Sequence, residues 1–152
     1  MTLLGRRPIA LNRIMKSNAE LSHGSAAARI AAATAAVLTL LAPALWNGFP
    51  LLQYDTGGYL ARWFEGTLVP SRSTVYGLFL ALLAHPGFWP AAVAQAALTV
   101  WIVALTLRAH GFGARPLLLL AVTALLAVLT TLPWLASILL TDIFAGLAVL
   151  AL

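Results

Sequence analysis

Long runs of apolar residues dominate the chain and determine its predicted architecture. Residues 30–46, 91–107 and 116–132 are apolar apart from threonines and one glutamine. A helix that crosses the roughly 30 Å hydrocarbon core of a bilayer needs about 20 such residues, with a lower limit near 17. The pattern predicts an all-α fold, a polytopic transmembrane helix bundle. A fourth run, 143–152, is still apolar at the last residue, so we expect a truncated span and an N-terminal fragment of a longer protein.

For a shorter apolar run, residues 75–84, the distribution of charge decides whether it crosses the membrane. It is followed at once by His85 and Pro86. Cytoplasmic loops carry the excess of Lys and Arg. The number of Lys and Arg residues differs most between the two sides if this run does not cross the membrane. We therefore predict a re-entrant helix at 75–84 in the first outer loop, in a bacterial-type inner (plasma) membrane with a cytoplasmic N-terminus. The basic residues are then Arg6, Arg7, Arg13, Lys16, Arg29, Arg108 and Arg115 inside, and Arg62 and Arg72 outside.

Two polar segments flank the first span. Residues 1–28 are basic and lack apolar periodicity, which predicts a disordered cytoplasmic tail ahead of a transmembrane domain at 29–152. Beyond the span, aromatic and leucine side chains recur at helical spacing over about 57–66, with Arg62 and Glu65 on the opposite face. This pattern predicts an amphipathic helix that lies in the plane of the membrane interface.

Composition excludes several classes of protein. The 152 residues are 62% hydrophobic and 9% charged, and the mean hydropathy is +0.95. Soluble globular chains are about 45–50% apolar and about 25% charged, so a soluble enzyme is disfavoured. Cysteine is absent, which excludes disulfides and thiol chemistry. The net charge of +5 does not indicate a nucleic-acid partner, because the basic residues flank apolar runs and form no basic patch with interleaved aromatics.

The acidic residues carry the candidate chemistry. Asp55, Glu65 and Asp142 are all predicted on the outer face, although Asp55 and Asp142 lie far apart in the sequence. Each aspartate has two open interpretations. It is an N-cap of the following helix, at the positive end of the helix dipole, or it is a general base or metal ligand at the membrane surface. Mg²⁺ or Mn²⁺ would be the cation in that case, because the available ligands are hard oxygens.

Three further polar residues are candidates for binding or packing. Arg62 and Arg72 are the only basic residues predicted outside, and either can hold a phosphate or diphosphate through its forked guanidinium. The alternative is contact with lipid headgroups or pairing with Glu65. Gln95 is predicted to hydrogen-bond a neighbouring helix. No cluster of His, Asp and Glu has the spacing of metal ligands, and no phosphate-binding glycine loop is present.

The order of these features resembles a known class of membrane enzymes. A basic N-terminus and a first span precede an outer loop with Asp55 and Tyr59, and Arg72 then leads into Val75-Tyr76-Gly77. Further on lie Gln95-Ala96-Ala97-Leu98 and Thr141-Asp142-Ile143-Phe144. This is similar to the N-terminal part of GT-C class glycosyltransferases, which include protein O-mannosyltransferases and aminoarabinose transferases. The resemblance covers roughly residues 28–152.

The resemblance implies transfer of a sugar from a polyprenyl-phosphate donor at the extracytoplasmic face. It assigns catalytic roles to Asp55 and Asp142, and it adds Tyr59 and Tyr76 to Arg62 and Arg72 as candidate substrate-binding residues. The expected partners are membrane lipid and the lipid-linked sugar. The alternative is a non-catalytic multi-span protein, either a transporter segment or an assembly subunit. Transporters place charged or broken-helix features at the bilayer midplane, where this chain has Gln95 and threonines.

Overall fold

A computed structural model describes residues 26–113 and 115–152, and all regular secondary structure in these residues is helical. The eight helices follow in chain order: α1 (Ala26–Leu40), α2 (Ala42–Asn47), α3 (Tyr54–Phe64), α4 (Thr74–Leu82), α5 (Trp89–Ala109), α6 (Pro116–Leu129), α7 (Leu132–Ser137) and α8 (Asp142–Ala151). The predicted all-α class is therefore confirmed. Most of the predicted tail lies outside the described residues, but Ala26–Ala28 form the start of α1 and do not belong to a tail.

Proline divides two of the predicted spans. Pro43 lies in the first turn of α2 and Pro133 in the first turn of α7. Proline has no N–H to donate to the preceding turn, and its ring clashes with the carbonyl four residues earlier. The run at 30–46 therefore becomes α1 and α2, and the helix at 116–132 ends at Leu129. The Leu41 N–H still donates to the Val37 oxygen at 3.0 Å, so the first break is slight.

One described helix is both long and apolar enough to cross a membrane. This is α5, with 21 residues and a length of about 31 Å at 1.5 Å per residue. Three shorter apolar helices, α1, α6 and α8, have 10–17 residues. The predicted span at 91–107 therefore lies within a helix of sufficient length. The other predicted spans each correspond to shorter helices.

The core lies where α1 and α5 meet the short helices and the segment before α8. The side chains of Leu40, Leu80, Ala96 and Leu139 are almost completely buried there. Small residues at Ala36, Ala91 and Ala92 are also fully buried, which brings the helix backbones close together. Of the short helices, α2 and α7 pack against α1, whereas α3 and α4 contact mainly each other.

Helices α3 and α4 form an antiparallel pair, and their closest approach occurs at a glycine. A Cβ atom at Gly77 would overlap the backbone carbonyl of Tyr59 and would contact the Trp63 ring. The indole N–H of Trp63 also donates to the Thr74 oxygen at 3.1 Å. The α3–α4 contact therefore requires the absence of a side chain at position 77. The helix predicted at 75–84 is confirmed as α4, although it ends at Leu82.

We expect Gly77→Ala to destabilise the protein by about 1–3 kcal/mol, because the added methyl overpacks against a backbone atom that cannot move independently. The matched control is Gly57→Ala on α3, where a Cβ would meet no atom within 4 Å. Alanine is favoured over glycine within a helix by about 0.5–1 kcal/mol, so this variant should be neutral or more stable. Thermal unfolding of the purified protein in detergent measures both. Equal stability of the two variants would contradict the close contact.

Candidate functional site

Backbone pairing joins the first loop to the segment before α8. The Leu51 N–H donates to the Ser137 oxygen at 2.9 Å, and the Leu139 N–H donates to the Leu51 oxygen at 3.0 Å. Together they form an isolated parallel β-bridge between Leu51 and Ile138. This pairing brings the two predicted catalytic segments to the same end of the bundle. Sequence reasoning did not anticipate it, because the pairing is made by main-chain groups.

A threonine attaches α3 to the same segment. The Gln53 N–H donates to the Thr56 hydroxyl at 3.1 Å, and that hydroxyl donates to the Leu139 oxygen at 3.1 Å. The Gln53 side chain accepts from the Thr56 backbone in return, which completes a capping box. Gln53 is therefore the N-cap of α3, and Asp55 lies within the first turn. The N-cap interpretation of Asp55 is wrong, because α3 begins three residues earlier than predicted.

A buried glutamine connects α4, α5 and the segment before α8. Gln95 has no exposed surface. Its amide oxygen accepts from the Tyr76 hydroxyl at 2.6 Å, and its amide nitrogen donates to the Ile138 oxygen at 3.1 Å. The predicted interhelical hydrogen bond of Gln95 is thus confirmed. These bonds satisfy polar groups whose burial would otherwise be costly.

Aromatic rings fill the space beside this glutamine. The rings of Tyr59 and Tyr76 meet edge to face with centroids 5.0 Å apart, and Phe144 meets Tyr76 in the same way at 5.7 Å. Phe79 stacks on Tyr76 at 5.8 Å. Offset and edge-to-face pairs of this kind stabilise by about 0.5–1.5 kcal/mol beyond their burial. The cluster fixes the positions of both tyrosine hydroxyls.

Asp55 and Arg72 form an ion pair at the edge of this aromatic cluster. A guanidinium nitrogen of Arg72 lies 2.5 Å from a carboxylate oxygen of Asp55, and the two side chains are 29% and 37% exposed. The Arg72 guanidinium carbon is also 5.9 Å from the Tyr59 ring centre, in a cation–π arrangement. A Cβ at Gly58 would press against the Arg72 side chain. Arg72 thus contacts the Asp55 carboxylate and the Tyr59 ring, and it fits against α3 because Gly58 has no side chain. Part of its surface remains open to solvent.

Asp142 reaches the same neighbourhood from α8. The Tyr59 hydroxyl hydrogen-bonds the Thr141 hydroxyl at 3.1 Å, and Asp142 is the next residue and is exposed. Burial raises the pKa of Tyr76 well above its usual range, and nearby Tyr59 and Asp142 raise it further. Thr141 is the N-cap of α8, so the N-cap interpretation of Asp142 is wrong, although its charge still lies at the positive end of the helix dipole.

The structure therefore brings together residues from three distant segments. We call them the polar cluster, and its members are Asp55, Tyr59, Arg72, Tyr76, Thr141 and Asp142. Five of the six predicted site residues belong to it. Arg62 does not, because it lies exposed on α3 and forms no ion pair with any described residue, Glu65 included.

The sequence did not predict Thr141 as a site residue. It also did not predict the similar role of Thr56 on α3. Both hydroxyls hold one segment against another across more than 80 positions. A threonine directly before a helical aspartate is a recognisable N-terminal signal. The sequence contains no signal for the tertiary partners of these hydroxyls, because hydroxyl groups have no preferred partner type.

The polar cluster contains no complete set of protein ligands for Mg²⁺ or Mn²⁺ among the described residues. Within residues 26–113 and 115–152, no group of three or more His, Cys, Asp and Glu side chains converges. One of the two carboxylates is already neutralised by Arg72. The predicted metal option therefore has no ligand set among the described residues.

Comparison of the chain with protein-family models, curated proteins and solved structures gave no match. The resemblance to GT-C glycosyltransferases stays a prediction.

The raised pKa of Tyr76 predicts a characteristic pH dependence. The folded state favours the neutral phenol of Tyr76. The free energy of unfolding is therefore unaffected by this group below the ordinary tyrosine pKa of 10.0. It falls as pH rises above that value, because the unfolded chain releases the phenol proton first. We expect the near-ultraviolet absorbance of tyrosinate to show one phenol that ionises at a higher pH than the others. The free energy of unfolding should fall over the same pH range. Tyr76→Phe should remove the late step, whereas Tyr54→Phe, at a 96% exposed position, should leave it. A late step that survives Tyr76→Phe would contradict the assignment.

Proposed function

We propose that the chain acts in a polytopic membrane glycosyltransferase of the GT-C type. It would transfer a sugar from a polyprenyl-phosphate donor at the extracytoplasmic face of a bacterial-type inner membrane. One observation carries the proposal. Tyr59 contacts both the Arg72 guanidinium, which pairs with Asp55, and Thr141, which adjoins Asp142. Arg72 and the segment that carries Asp142 are thus both linked to Tyr59, and Asp142 forms no ion pair within the described residues.

The exposed surface supports the membrane placement. Large apolar side chains are exposed on three of the longer helices, among them Ile30 at 68%, Leu117 at 79% and Val128 at 82%. Only 39% of the most apolar stretch of α5 is buried inside the structure, whereas the central helix of a soluble protein is mostly buried. Apolar patches of this extent are rare on soluble monomers. A surrounding of lipid removes the cost of exposing them.

Helix lengths support more than one crossing. Residues 26–47 continue through α1 and α2 with backbone bonds across Leu41, which gives about 33 Å at 1.5 Å per residue. Together with α5 this makes two elements that match the thickness of the hydrocarbon core. The shorter α6 and α8 are also apolar and would be the remaining membrane segments of the proposed multi-pass arrangement.

This topology makes a labelling prediction, which the absence of cysteine simplifies. Single-cysteine variants at Glu65 and Asp142 should react with a membrane-impermeant maleimide in intact cells. A cysteine at His110, in the exposed connection between α5 and α6, should react only after the cells are permeabilised. Labelling of positions 65 and 142 from opposite compartments would contradict the topology, and the proposed site could then not form.

The leaving phosphate is the natural ligand of Arg72. A polyprenyl-phosphate donor keeps its tail in the lipid and presents its phosphate at the interface. The guanidinium can donate two parallel hydrogen bonds to phosphate oxygens, in a geometry that lysine cannot copy. Asp55 and Tyr59 orient this group in advance, so little reorganisation is needed when negative charge develops. The role of Asp55 in this scheme is to position Arg72.

Asp142 is the better-placed general base, because it is exposed and forms no ion pair within the described residues. Its carboxylate takes the proton of the acceptor hydroxyl as that oxygen bonds to the anomeric carbon. The bond from the anomeric carbon to the phosphate oxygen breaks, and the phosphate leaves with the electron pair. A single displacement of this kind inverts the anomeric configuration.

The test is sugar transfer in membranes from labelled polyprenyl-phosphate mannose or aminoarabinose. We expect Asp142→Asn to lower transfer by about 10²-fold or more, the usual contribution of a general base. Arg72→Gln should cause a similar loss, since it removes stabilisation of the leaving group. Arg72→Lys should retain more transfer than Arg72→Gln but less than the unchanged protein, because lysine supplies the charge without the two parallel hydrogen bonds of a guanidinium.

The matched control is Glu65→Gln, which removes an exposed acid at the end of α3 outside the polar cluster. It should retain transfer within about threefold, as expected for a surface substitution of small energetic effect. Membrane abundance of each variant is measured in parallel. Full transfer by both Asp142→Asn and Arg72→Gln would refute the proposal and would favour a non-catalytic multi-span protein.

A further inference from the structure

A second feature lies at the far end of α5 from the polar cluster. A cavity of about 500 Å³ opens between α1, α5 and the start of α6. Three arginines from three different elements line it, namely Arg29 on α1, Arg108 at the end of α5 and Arg115 before α6. The rest of its described lining consists of apolar side chains and a glycine, with no acidic side chain among these residues.

The shape of the cavity follows from small residues on two helix faces. Ala33 on α1 and Ala97 and Ala104 on α5 line its walls. On α5 the lining residues recur three and four positions apart, so they form one continuous stripe. From Ala97 to Arg108 this stripe is about 16 Å long, which is close to half of the roughly 30 Å hydrocarbon thickness. The apolar part therefore has the length of one membrane leaflet.

Among the described residues, the charge at the mouth has no acidic partner. None of the three arginines forms an ion pair with a described residue. Arg115 is the N-cap of α6, where the helix dipole already contributes positive potential. A basic residue is disfavoured at this position, so Arg115 adds to the positive charge at the mouth. An anion at the mouth would relieve this repulsion.

We propose that the cavity binds an anionic phospholipid from the cytoplasmic leaflet. One acyl chain lies in the apolar stripe, and the phosphate contacts the arginines at the mouth. Charge complementarity identifies the occupant, because an anionic headgroup and a leaflet-length chain match the two parts of the cavity. Ile30 and Trp101, which line the side, are 68% and 58% exposed, so a lipid can enter laterally. The cytoplasmic leaflet is also where anionic lipids supply negative surface potential.

This inference rests on the proposed membrane placement but not on sugar transfer. The two ends of α5 carry separate residues, so the lipid site and the polar cluster can be tested independently. A protein recovered from cells without detergent would refute the membrane placement itself. A detergent-requiring protein without lipid selectivity would refute only the lipid site.

The experiment measures lipid retention by native mass spectrometry. The full chain is reconstituted in phosphatidylcholine vesicles that contain a minor fraction of phosphatidylglycerol, and is then extracted in mild detergent. We expect bound phosphatidylglycerol to be enriched over its share in the vesicles. The triple variant Arg29→Gln, Arg108→Gln, Arg115→Gln should lose this enrichment by about tenfold or more, because it removes the charge-assisted hydrogen bonds.

Two controls separate a specific site from general attraction. The variant Arg6→Gln, Arg7→Gln, Arg13→Gln removes the same charge from the N-terminal region and should keep the enrichment. Filling the cavity with Ala33→Leu and Ala104→Leu should abolish retention without any change in charge, whereas Ala35→Leu at an exposed position of α1 should not. Equal loss in both triple variants, or retention in the filled variant, would overturn the proposal. Displacement of the lipid by inorganic phosphate alone would assign the arginines to a free anion and would also overturn it.

Discussion

The buried amide of Gln95 is the interaction on which the rest of the structure depends. It lies in an apolar core, where an unpartnered amide would be costly, and it has two partners on two different segments. The Tyr76 hydroxyl fixes α4 against α5, and the Ile138 carbonyl fixes the segment before α8. Because both bonds must be made together, the three segments have one relative position.

The polar cluster follows from that constraint. Once Tyr76 is fixed, its ring positions Tyr59 on α3. The Leu51–Ile138 bridge and the Thr56 hydroxyl bring α3 to the segment before α8 from the other side. Arg72 then lies over the Tyr59 ring and pairs with Asp55. The same contacts therefore stabilise the fold and create the arrangement to which we assign phosphate binding.

The bundle is chemically different at its two ends. One end joins carboxylates, tyrosines and a single paired arginine, and the other carries three arginines beside an apolar cavity. Helix α5, which is about 31 Å long at 1.5 Å per residue, connects the two ends and is largely apolar. This asymmetry agrees with the positive-inside rule, by which the Lys and Arg residues of a membrane protein collect on its cytoplasmic side. It also places the proposed reaction site and the arginines of the proposed lipid site toward opposite ends of α5.

The sequence by itself determined the all-α class, the apolar segments, the short helix at α4 and the interhelical bond of Gln95. These depend on hydrophobic periodicity and on the cost of burying a lone amide, which are local properties. Helix boundaries were less accurate: α3 begins at Tyr54 because Gln53 and Thr56 form a capping box, and α6 ends early because of Pro133.

Only the tertiary structure decided that Asp55 pairs with Arg72, that Arg62 stays apart and that Thr141 bonds Tyr59. Neither aspartate proved to be an N-cap. The backbone pairing of Leu51 with Ile138 also has no counterpart in the pattern of side chains. The physical reason is that every charged or hydroxyl group has many possible partners. Which partner it meets depends on helix contacts made far away along the chain, such as the one that Gly77 permits.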